Sequence, residues 1–350
     1  MSRTDTPVKP ASAAAEDRRR TAVLVLGMHR SGTSALTQVL ALAGCDLPQN
    51  VMPGDEHNAK GYFEPWRIAI FNDQRLRAAG SAWDDPFVHP YRSLEPREER
   101  RWITRATDIF EEEFGDARRP LMKDPRVTVL APMWLTAISE LGLDVAVVIP
   151  VRHPLEVVGS LAKRNGFPPE KSLLLWSAYM LAAEVHTRGV KRAFVSYDRL
   201  LSDWRPELDR VDRALDGLLP LRDAAVDAAI DGFLTGELRH NSAEGDMASI
   251  PLAGPLTACV YETFAAADEV LDVARLDAAA AALVELKAAM GVLVSPVTSD
   301  LDAVRSELLE ARQLAAYEHG RVQALTDRVQ ALEQVEAELS ASMDALLGED

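Results

Sequence analysis

Residues 27–34, Gly-Met-His-Arg-Ser-Gly-Thr-Ser, place glycines, an imidazole, a guanidinium and hydroxyl groups within one short segment. The segment follows the apolar run 22–26 and leads into the amphipathic stretch 35–43. A strand that passes through a glycine-bounded loop into a helix directs backbone N–H groups and the positive end of the helix at one anion. We therefore predict an anion site whose candidate ligands are His29, Arg30, Ser31, Gly32, Thr33 and Ser34.

The glycine spacing of this loop matches that of a phosphate-binding P-loop, G-x-x-x-x-G-K-[ST], with one departure. Thr33 stands where nucleotide triphosphatases carry a lysine, and Arg30 supplies a cation inside the loop instead. The absence of that lysine argues against ordinary ATP or GTP hydrolysis. A tight strand–helix turn without a ligand is the alternative interpretation.

A second candidate anion site follows another apolar run, residues 145–149. Arg152 stands where a magnesium-binding aspartate would otherwise be needed, and Ser160 lies on the helix predicted to follow. A guanidinium offers paired donors to phosphate oxygens, and a serine adds a short hydroxyl. These residues predict a phosphate site, with an ordinary surface arginine and helix serine as the alternative. We expect no metal site, because the histidines are scattered without the spacing of metal ligands.

Apolar runs and helical periodicity alternate along the N-terminal half of the chain. Strands are predicted at 22–26, 120–126, 144–151 and 193–197, and helices at 35–43, 65–79, 96–114, 127–141, 155–163 and 171–189. This alternation is typical of an α/β fold with a parallel sheet covered on both faces, where ligands bind beyond the carboxyl ends of the strands. We expect four segments that follow such ends to converge on one crevice: 27–34, 123–126, Arg152 and Asp198.

The bulk composition restricts the possible partners and the compartment. The chain has 350 residues, of which 47% are hydrophobic, and a formal net charge of −16, so we expect no nucleic acid as main partner. Cys45 and Cys259 are the only cysteines and cannot form a disulfide framework, which suits a reducing cytoplasm. We find no apolar leader core in residues 1–20 and no apolar run of about 18 residues that could span a membrane.

The sequence divides into a disordered tail at 1–20, a large domain at 21–298 and a helix at 299–350. The helix keeps a heptad register, which favours a coiled coil and predicts a homo-oligomer or an arm that docks a partner. A helix folded back on the domain is the alternative. The two seams are Leu301, Leu308, Ala315, Val322, Val329, Glu336 and Met343, and Val304, Ala311, Glu318, Leu325, Leu332, Leu339 and Leu346, with Gly320 as a weak point.

Several segments together resemble the bacterial sulfotransferases that use 3′-phosphoadenosine 5′-phosphosulfate (PAPS). The resemblance covers about 21–241 and implies a three-layer, parallel-sheet, P-loop NTPase-like fold of the sulfotransferase type. It also implies transfer of a sulfuryl group from PAPS to a hydroxyl or amine, with release of adenosine 3′,5′-bisphosphate. The segments that carry it are Gly27–Leu36, Lys60–Glu64 (KGYFE), Lys123–Arg126 (KDPR), Val151–Leu161 and Tyr197–Leu201 (YDRLL).

The same resemblance implies how the donor is held. Arg30 and the N–H groups of 31–34 would hold the 5′-phosphosulfate. Arg152 and Ser160 would hold the 3′-phosphate, with Arg239 as a further contact from a later loop.

Catalytic roles also follow from the resemblance. Lys123 stands in a Lys-Asp-Pro context similar to that of tyrosylprotein sulfotransferases and would assist the leaving group; a simple ion pair with Asp124 or another acid is the alternative. Glu64 is the first candidate for the general base and His57 the second, since histidine titrates near neutral pH. The alternative for Glu64 is a charge that favours the N-terminus of the following helix.

Two other functions stay open on the sequence alone. A small-molecule kinase would use a related fold, although Thr33 and Arg152 argue against it. A non-catalytic scaffold would depend on the coiled coil alone and would bind no nucleotide donor. We expect the acceptor of a sulfotransferase to be a small molecule or a glycan, but no residue pattern identifies it.

Overall fold

A sheet of four parallel strands, in the order β2–β1–β3–β4, organises the computed structural model. The central strand β1 pairs with β2 on one side and with β3 on the other, and β3 pairs with β4. The carboxyl ends of these parallel strands therefore lie at one edge of the sheet. The strands are β1 Thr21–Val25, β2 Leu121–Lys123, β3 Asp144–Val151 and β4 Lys191–Ser196.

The structure describes residues 20–52, 54, 61–219, 223–234, 245–266, 271–290 and 296–347. Two compact units divide the chain, Met1–Leu293 and Val294–Asp350. The first contains the sheet and the helices α1 Thr33–Leu42, α2 Trp66–Ala78, α3 Pro96–Phe114, α4 Pro125–Val129, α5 Ala131–Glu140, α6 Pro154–Asn165, α7 Pro169–His186, α8 Tyr197–Ser202, α9 Trp204–Ala214, α10 Ala224–Phe233, α11 Gly254–Ala265 and α12 Val273–Met290. The second contains α13 Pro296–Leu347.

Both faces of the sheet are buried. On one face Val23, Val25 and Val148 pack with Leu36 and Leu40 of α1. The residues that alternate with them point to the other face and are fully buried as well; they are Ala22, Leu24, Met122, Val147 and Ile149. Since complete burial of a Val, Leu or Ile side chain contributes about 1.5–3 kcal/mol, these runs fix the sheet. The α/β fold with a parallel sheet, predicted from the alternation of elements, is confirmed.

The single helix predicted at 127–141 is wrong. The structure has two helices there, α4 and α5, and Leu130 between them leaves the helical region with φ −102° and ψ 10°. Pro132 explains the break, because a proline inside a continuous helix removes one N–H donor and clashes with the preceding turn.

Gly32 closes the loop from β1 to α1. A larger residue at this position would disturb the loop in two ways. Its φ of +87° lies in the left-handed region that glycine tolerates best. A Cβ atom at this position would lie only 2.3 Å from Cδ2 of Tyr197. Tyr197 begins α8 directly after β4, so its ring holds the loop against the end of a different strand.

The second unit is a helix of 52 residues, α13. Its described apolar heptad side chains are largely exposed; those of Val322 and Leu332, for example, are 59% and 65% exposed. A helix in this region is therefore present, whereas its association into a coiled coil stays a prediction. Among the described helices, none combines the length and apolar character needed to cross a bilayer. The tail predicted at 1–20 lies outside the described residues except for Arg20.

We predict that Gly32→Ala lowers the free energy of unfolding by about 3 kcal/mol or more, because it combines a left-handed backbone with a clash against the Tyr197 ring. The matched control is Gly80→Ala, since Gly80 has φ +65° and no atom within 4 Å of a built Cβ. This control should lose only about 1 kcal/mol. Urea unfolding measures both variants, and equal losses would contradict the packing of Tyr197 on the loop.

Candidate active site

Thr128 of α4 anchors the start of the loop between β1 and α1. Its Oγ1 accepts a hydrogen bond from the N–H of Gly27 at 2.7 Å and donates one to the carbonyl oxygen of Gly27 at 3.2 Å. Both bonds are buried, and together they fix the backbone on either side of Gly27 just after the strand ends. The sequence analysis missed Thr128, because nothing local in its segment marks it as a partner of residue 27.

The two predicted anion segments are in direct contact. Arg30 donates from Nε to Oγ of Ser160 at 2.7 Å, and Arg152 donates from Nη1 to the carbonyl oxygen of Arg30 at 3.0 Å. Arg30 has φ 67°, an uncommon conformation for a residue other than glycine. The ends of β1 and β3 thus bring the segment 27–34 and Arg152 to the same edge of the sheet, and Ser160 of α6 lies in contact with Arg30.

Arg152 has two further contacts that the sequence analysis did not predict. Its Nε donates to Oε2 of Glu156 at 2.8 Å, and its guanidinium lies over the ring of Tyr197 at 4.6 Å from the centroid. Glu156 is buried, so an acidic group lies beside the predicted phosphate site. Arg152 lies between β3 and α6 and Glu156 lies in the first turn of α6, so their four-residue spacing was the available signal for this pair.

Lys123 reaches the same region from the end of β2. Its Nζ donates to Oγ of Ser34 at 3.1 Å, to the carbonyl oxygen of Tyr62 at 2.9 Å and to Oε1 of Glu64 at 2.5 Å. Lys123 and Glu64 are both buried. The acid paired with Lys123 is therefore Glu64 and not Asp124, and the two predicted catalytic residues are neighbours.

The environment of Glu64 opposes its ionisation in part. Burial raises the pKa of Glu64, whereas the charges of Lys123 and Arg126 act to lower it. A carboxylate with a raised pKa is a better proton acceptor than an exposed one. The contact with Lys123 gives this side chain a tertiary partner in addition to its position just before α2.

Arg126 and Asp124 form an internal ion-pair network below this site. Arg126 donates from Nε to Asp73 at 2.5 Å and from Nη1 to Asp124 at 2.9 Å, and all three side chains are buried. Burial acts to lower the pKa of Arg126, but Asp73, Asp124 and Glu64 together raise it above its ordinary value. Asp124 also caps α4 by accepting the N–H of Arg126. This network fixes the backbone that follows Lys123.

Two polar atoms of the loop are buried and make no hydrogen bond within the described part of the chain: Nε2 of His29 and Oγ of Ser31. Burial lowers the pKa of His29 well below its ordinary value, and the charges of Arg126 and Arg164 lower it further. The imidazole, which packs on Trp83 at 4.6 Å between centroids, is therefore neutral at pH 7. Unpaired buried polar atoms of this kind suit a ligand that carries hydrogen-bonding groups.

Arg164, near the end of α6, is a further cation of the site. Burial lowers the pKa of its guanidinium to about 10, and the charge of Arg30 contributes to this shift. The guanidinium also lies over the ring of Trp83 at 5.5 Å. The sequence analysis missed Arg164, although it lies one helical turn after Ser160 and so on the same face of α6.

The remaining predicted residues are placed as follows. Thr33 is buried and begins α1, next to Gly32. His57 and Arg239 lie outside the described residues. Within the described ranges, no group of three or more His, Cys, Asp or Glu side chains could hold a metal ion. The site as described combines cations, a neutral imidazole and a buried carboxylate, which suits the binding and transfer of an anionic group.

Comparison with known proteins gave matches only among solved structures. No protein-family model matches the chain, and the search of curated proteins gave no match. A sulfotransferase domain from the olefin synthase of Synechococcus PCC 7002 is 17% identical, with 76% of this chain and 95% of that domain covered at a TM-score of 0.39. The sulfotransferase domain from the curacin biosynthetic pathway is 14% identical, with 65% and 82% covered at a TM-score of 0.37.

A sulfotransferase of Mycobacterium tuberculosis H37Rv is 13% identical, with 63% of this chain and 73% of that chain covered at a TM-score of 0.34. All three of these solved structures are sulfotransferases or sulfotransferase domains.

Proposed function

We propose that this chain is a PAPS-dependent sulfotransferase of the three-layer P-loop NTPase-like type. It would transfer a sulfuryl group to a hydroxyl or amine acceptor and release adenosine 3′,5′-bisphosphate. One observation carries the proposal: Arg30 of the loop contacts both Ser160 and Arg152, at 2.7 and 3.0 Å. The segments that carry these two cations, one after β1 and one after β3, are therefore in contact, which suits one ligand with two anionic groups. PAPS has a 3′-phosphate for the second position and ATP does not.

The residues of the site fit such a donor. The start of α1 offers its first N–H groups to the 5′-phosphosulfate, and the loop offers the Arg30 guanidinium and Oγ of Ser31. The N–H of Ser31 itself donates to the carbonyl oxygen of Met28 at 3.2 Å. Arg152 and Ser160 offer a guanidinium and a hydroxyl to the 3′-phosphate. When bound, PAPS supplies the activated sulfuryl group and the bisphosphate leaving group. No metal is needed to neutralise these charges in this proposal.

Glu64 and Lys123 have separate roles in the transfer. Glu64 takes the proton of the acceptor hydroxyl or amine, a role that its raised pKa favours. Lys123 donates a hydrogen bond toward the oxygen that gains charge as the sulfuryl group leaves. By analogy with phosphoryl transfer, the rest of the task is positioning and electrostatic stabilisation.

The acceptor and the compartment complete the proposal. We expect a small molecule or a glycan as acceptor, and we place the reaction in the cytoplasm because the cysteine content suits reducing conditions. The net charge of −16 argues against a nucleic acid acceptor.

We predict that adenosine 3′,5′-bisphosphate raises the Tm by about 2–4 °C when present at roughly a hundred times its Kd. Adenosine 5′-monophosphate, which lacks the 3′-phosphate, should give a smaller rise at the same concentration. A thermal-shift titration measures both, with ADP and Mg²⁺ in parallel. Selective stabilisation by ADP with Mg²⁺ would favour a kinase, and no stabilisation by any of the three would favour a scaffold.

A second prediction concerns the 3′-phosphate site. Removing the guanidinium at position 152 should weaken binding of adenosine 3′,5′-bisphosphate by about 10- to 100-fold, the effect of losing a charged hydrogen bond. Because Arg152→Ala alone removes an ion-pair partner of the buried Glu156, the double variant Arg152→Leu with Glu156→Gln is the better test. Glu156→Gln alone should tighten binding, since it removes an acid beside the phosphate. Calorimetric titration measures each Kd.

The matched control for this experiment is Arg188→Ala. Arg188 follows the end of α7 and pairs with a buried glutamate of that helix, Glu184, at 2.6 Å. Arg188→Ala should alter stability without altering the Kd for the bisphosphate. A double variant at 152 and 156 that binds as tightly as the wild type would refute the phosphate assignment.

A third prediction tests the base. Glu64→Gln should lower turnover by about 100-fold or more and leave the Kd for the bisphosphate unchanged, because the amide still accepts the bond from Lys123 but takes up no proton. Turnover is measured with labelled PAPS against a panel of saccharides, lipid-linked glycans and small metabolites. The matched control is Glu113→Gln, since burial also raises the pKa of Glu113. Full turnover of Glu64→Gln would transfer the role to His57.

A further inference from the structure

One face of α13 carries exposed apolar side chains at heptad positions. Val322 and Val329 occupy position a of the heptad, and Leu325, Leu332 and Leu339 occupy position d. Each of these side chains is more than half exposed. β-branched residues at a with leucine at d favour two-stranded, parallel coiled coils. The face is therefore suited to a second helix with the same pattern.

Charged residues flank this face at positions g and e. Glu307 and Arg328 occupy g, and Arg312 and Glu333 occupy e. None of the four makes an ion pair or hydrogen bond with another described residue. Within one helix, Glu307 and Arg312, like Arg328 and Glu333, are too far apart around the axis to pair, because helical neighbours are three or four residues apart.

The outer face of the same helix differs in this respect. Gln323 donates to Asp327 at 3.0 Å, and Gln334 donates to Glu338 at 3.3 Å. Polar side chains away from the apolar face thus bond within the helix. Of the charges that flank the face, Arg321 at position g also pairs within the helix, with Glu318 at 3.3 Å, whereas the four charges named above make no such bond to another described residue. These four charges lie where interhelical ion pairs form in coiled coils.

We propose that α13 forms a parallel, in-register, two-stranded coiled coil with a second copy of this chain. In that arrangement Glu307 meets the partner's Arg312, and Arg328 meets the partner's Glu333, so the flanking pairs at these positions attract. The proposal is independent of the sulfotransferase function.

The charge pattern distinguishes parallel from antiparallel association. In an antiparallel pair centred between Val322 and Leu325, g positions face g positions, and Arg321 would lie opposite the partner's Arg328. Two such repulsive contacts would form in each dimer. The parallel arrangement has a different weakness. Glu318 and Glu336 interrupt the apolar seam, and in register each would lie opposite the same glutamate of the second copy. These acids weaken the dimer, and Glu336→Leu should therefore tighten it.

Sedimentation equilibrium of the full chain tests the proposal. The wild type should reach the mass of a dimer as its concentration rises. Arg328→Glu should weaken the dimer by about tenfold, because a carboxylate would then face the partner's Glu333 at two symmetric sites. The double variant Arg328→Glu with Glu333→Arg should restore it, and the outer-face control Glu338→Lys should not change it. A monomer at all concentrations, a larger assembly, or tighter association of Arg328→Glu would overturn the proposal.

Cross-linking tests the register separately. In a Cys259→Ser background, Leu325→Cys should form a disulfide between copies when dissolved oxygen and a copper catalyst accept the two electrons. Ala331→Cys, on the outer face, is the control and should remain reduced. Circular dichroism checks that both variants keep their helix content. A disulfide that forms only when Leu325→Cys is mixed with Val322→Cys would show antiparallel association and overturn the proposal.

Discussion

The contact between the β1–α1 loop and the segment after β3 is the constraint on which the site depends. The carbonyl oxygen of Arg30 accepts a bond from Arg152, and its guanidinium donates to Ser160. A non-glycine residue with φ near +67° costs on the order of 1 kcal/mol, and these two bonds offset that cost. Because β1 and β3 are hydrogen-bonded neighbours, the sheet itself fixes the distance between the two segments.

The other two strands support the same loop. Tyr197, at the end of β4, packs its ring against Gly32 and under the guanidinium of Arg152. Lys123, at the end of β2, reaches Oγ of Ser34 in the first turn of α1. The loop is thus held by side chains from three strand ends besides its own. A displacement of any of these strands would therefore change the geometry of the loop.

Features that depend on neighbouring residues could be predicted from the sequence, whereas contacts between residues far apart in the chain could not. Parallel strands could be inferred from local apolar runs, and their shared edge then brought Arg30, Lys123 and Arg152 together. The partners of these residues could not be inferred in the same way. Lys123 and Glu64 are 59 positions apart in the sequence and Gly27 and Thr128 are 101 apart, so only tertiary packing decides these pairs.

Acidic and cationic side chains are nearly balanced at the site. In an acidic protein, binding of a polyanion therefore depends on the cations that are not neutralised by neighbouring acids. Arg126 is neutralised by Asp73 and Asp124, so it contributes structure more than attraction. His29 stays neutral because burial and the cations around it oppose its protonation. Because the pKa of His29 lies well below its ordinary value, mild acid does not add charge to the loop. Nε2 of the neutral imidazole then remains able to form a hydrogen bond with a ligand. The attraction for an anion then depends on Arg30, Arg152 and Arg164, and it is opposed most directly by Glu156.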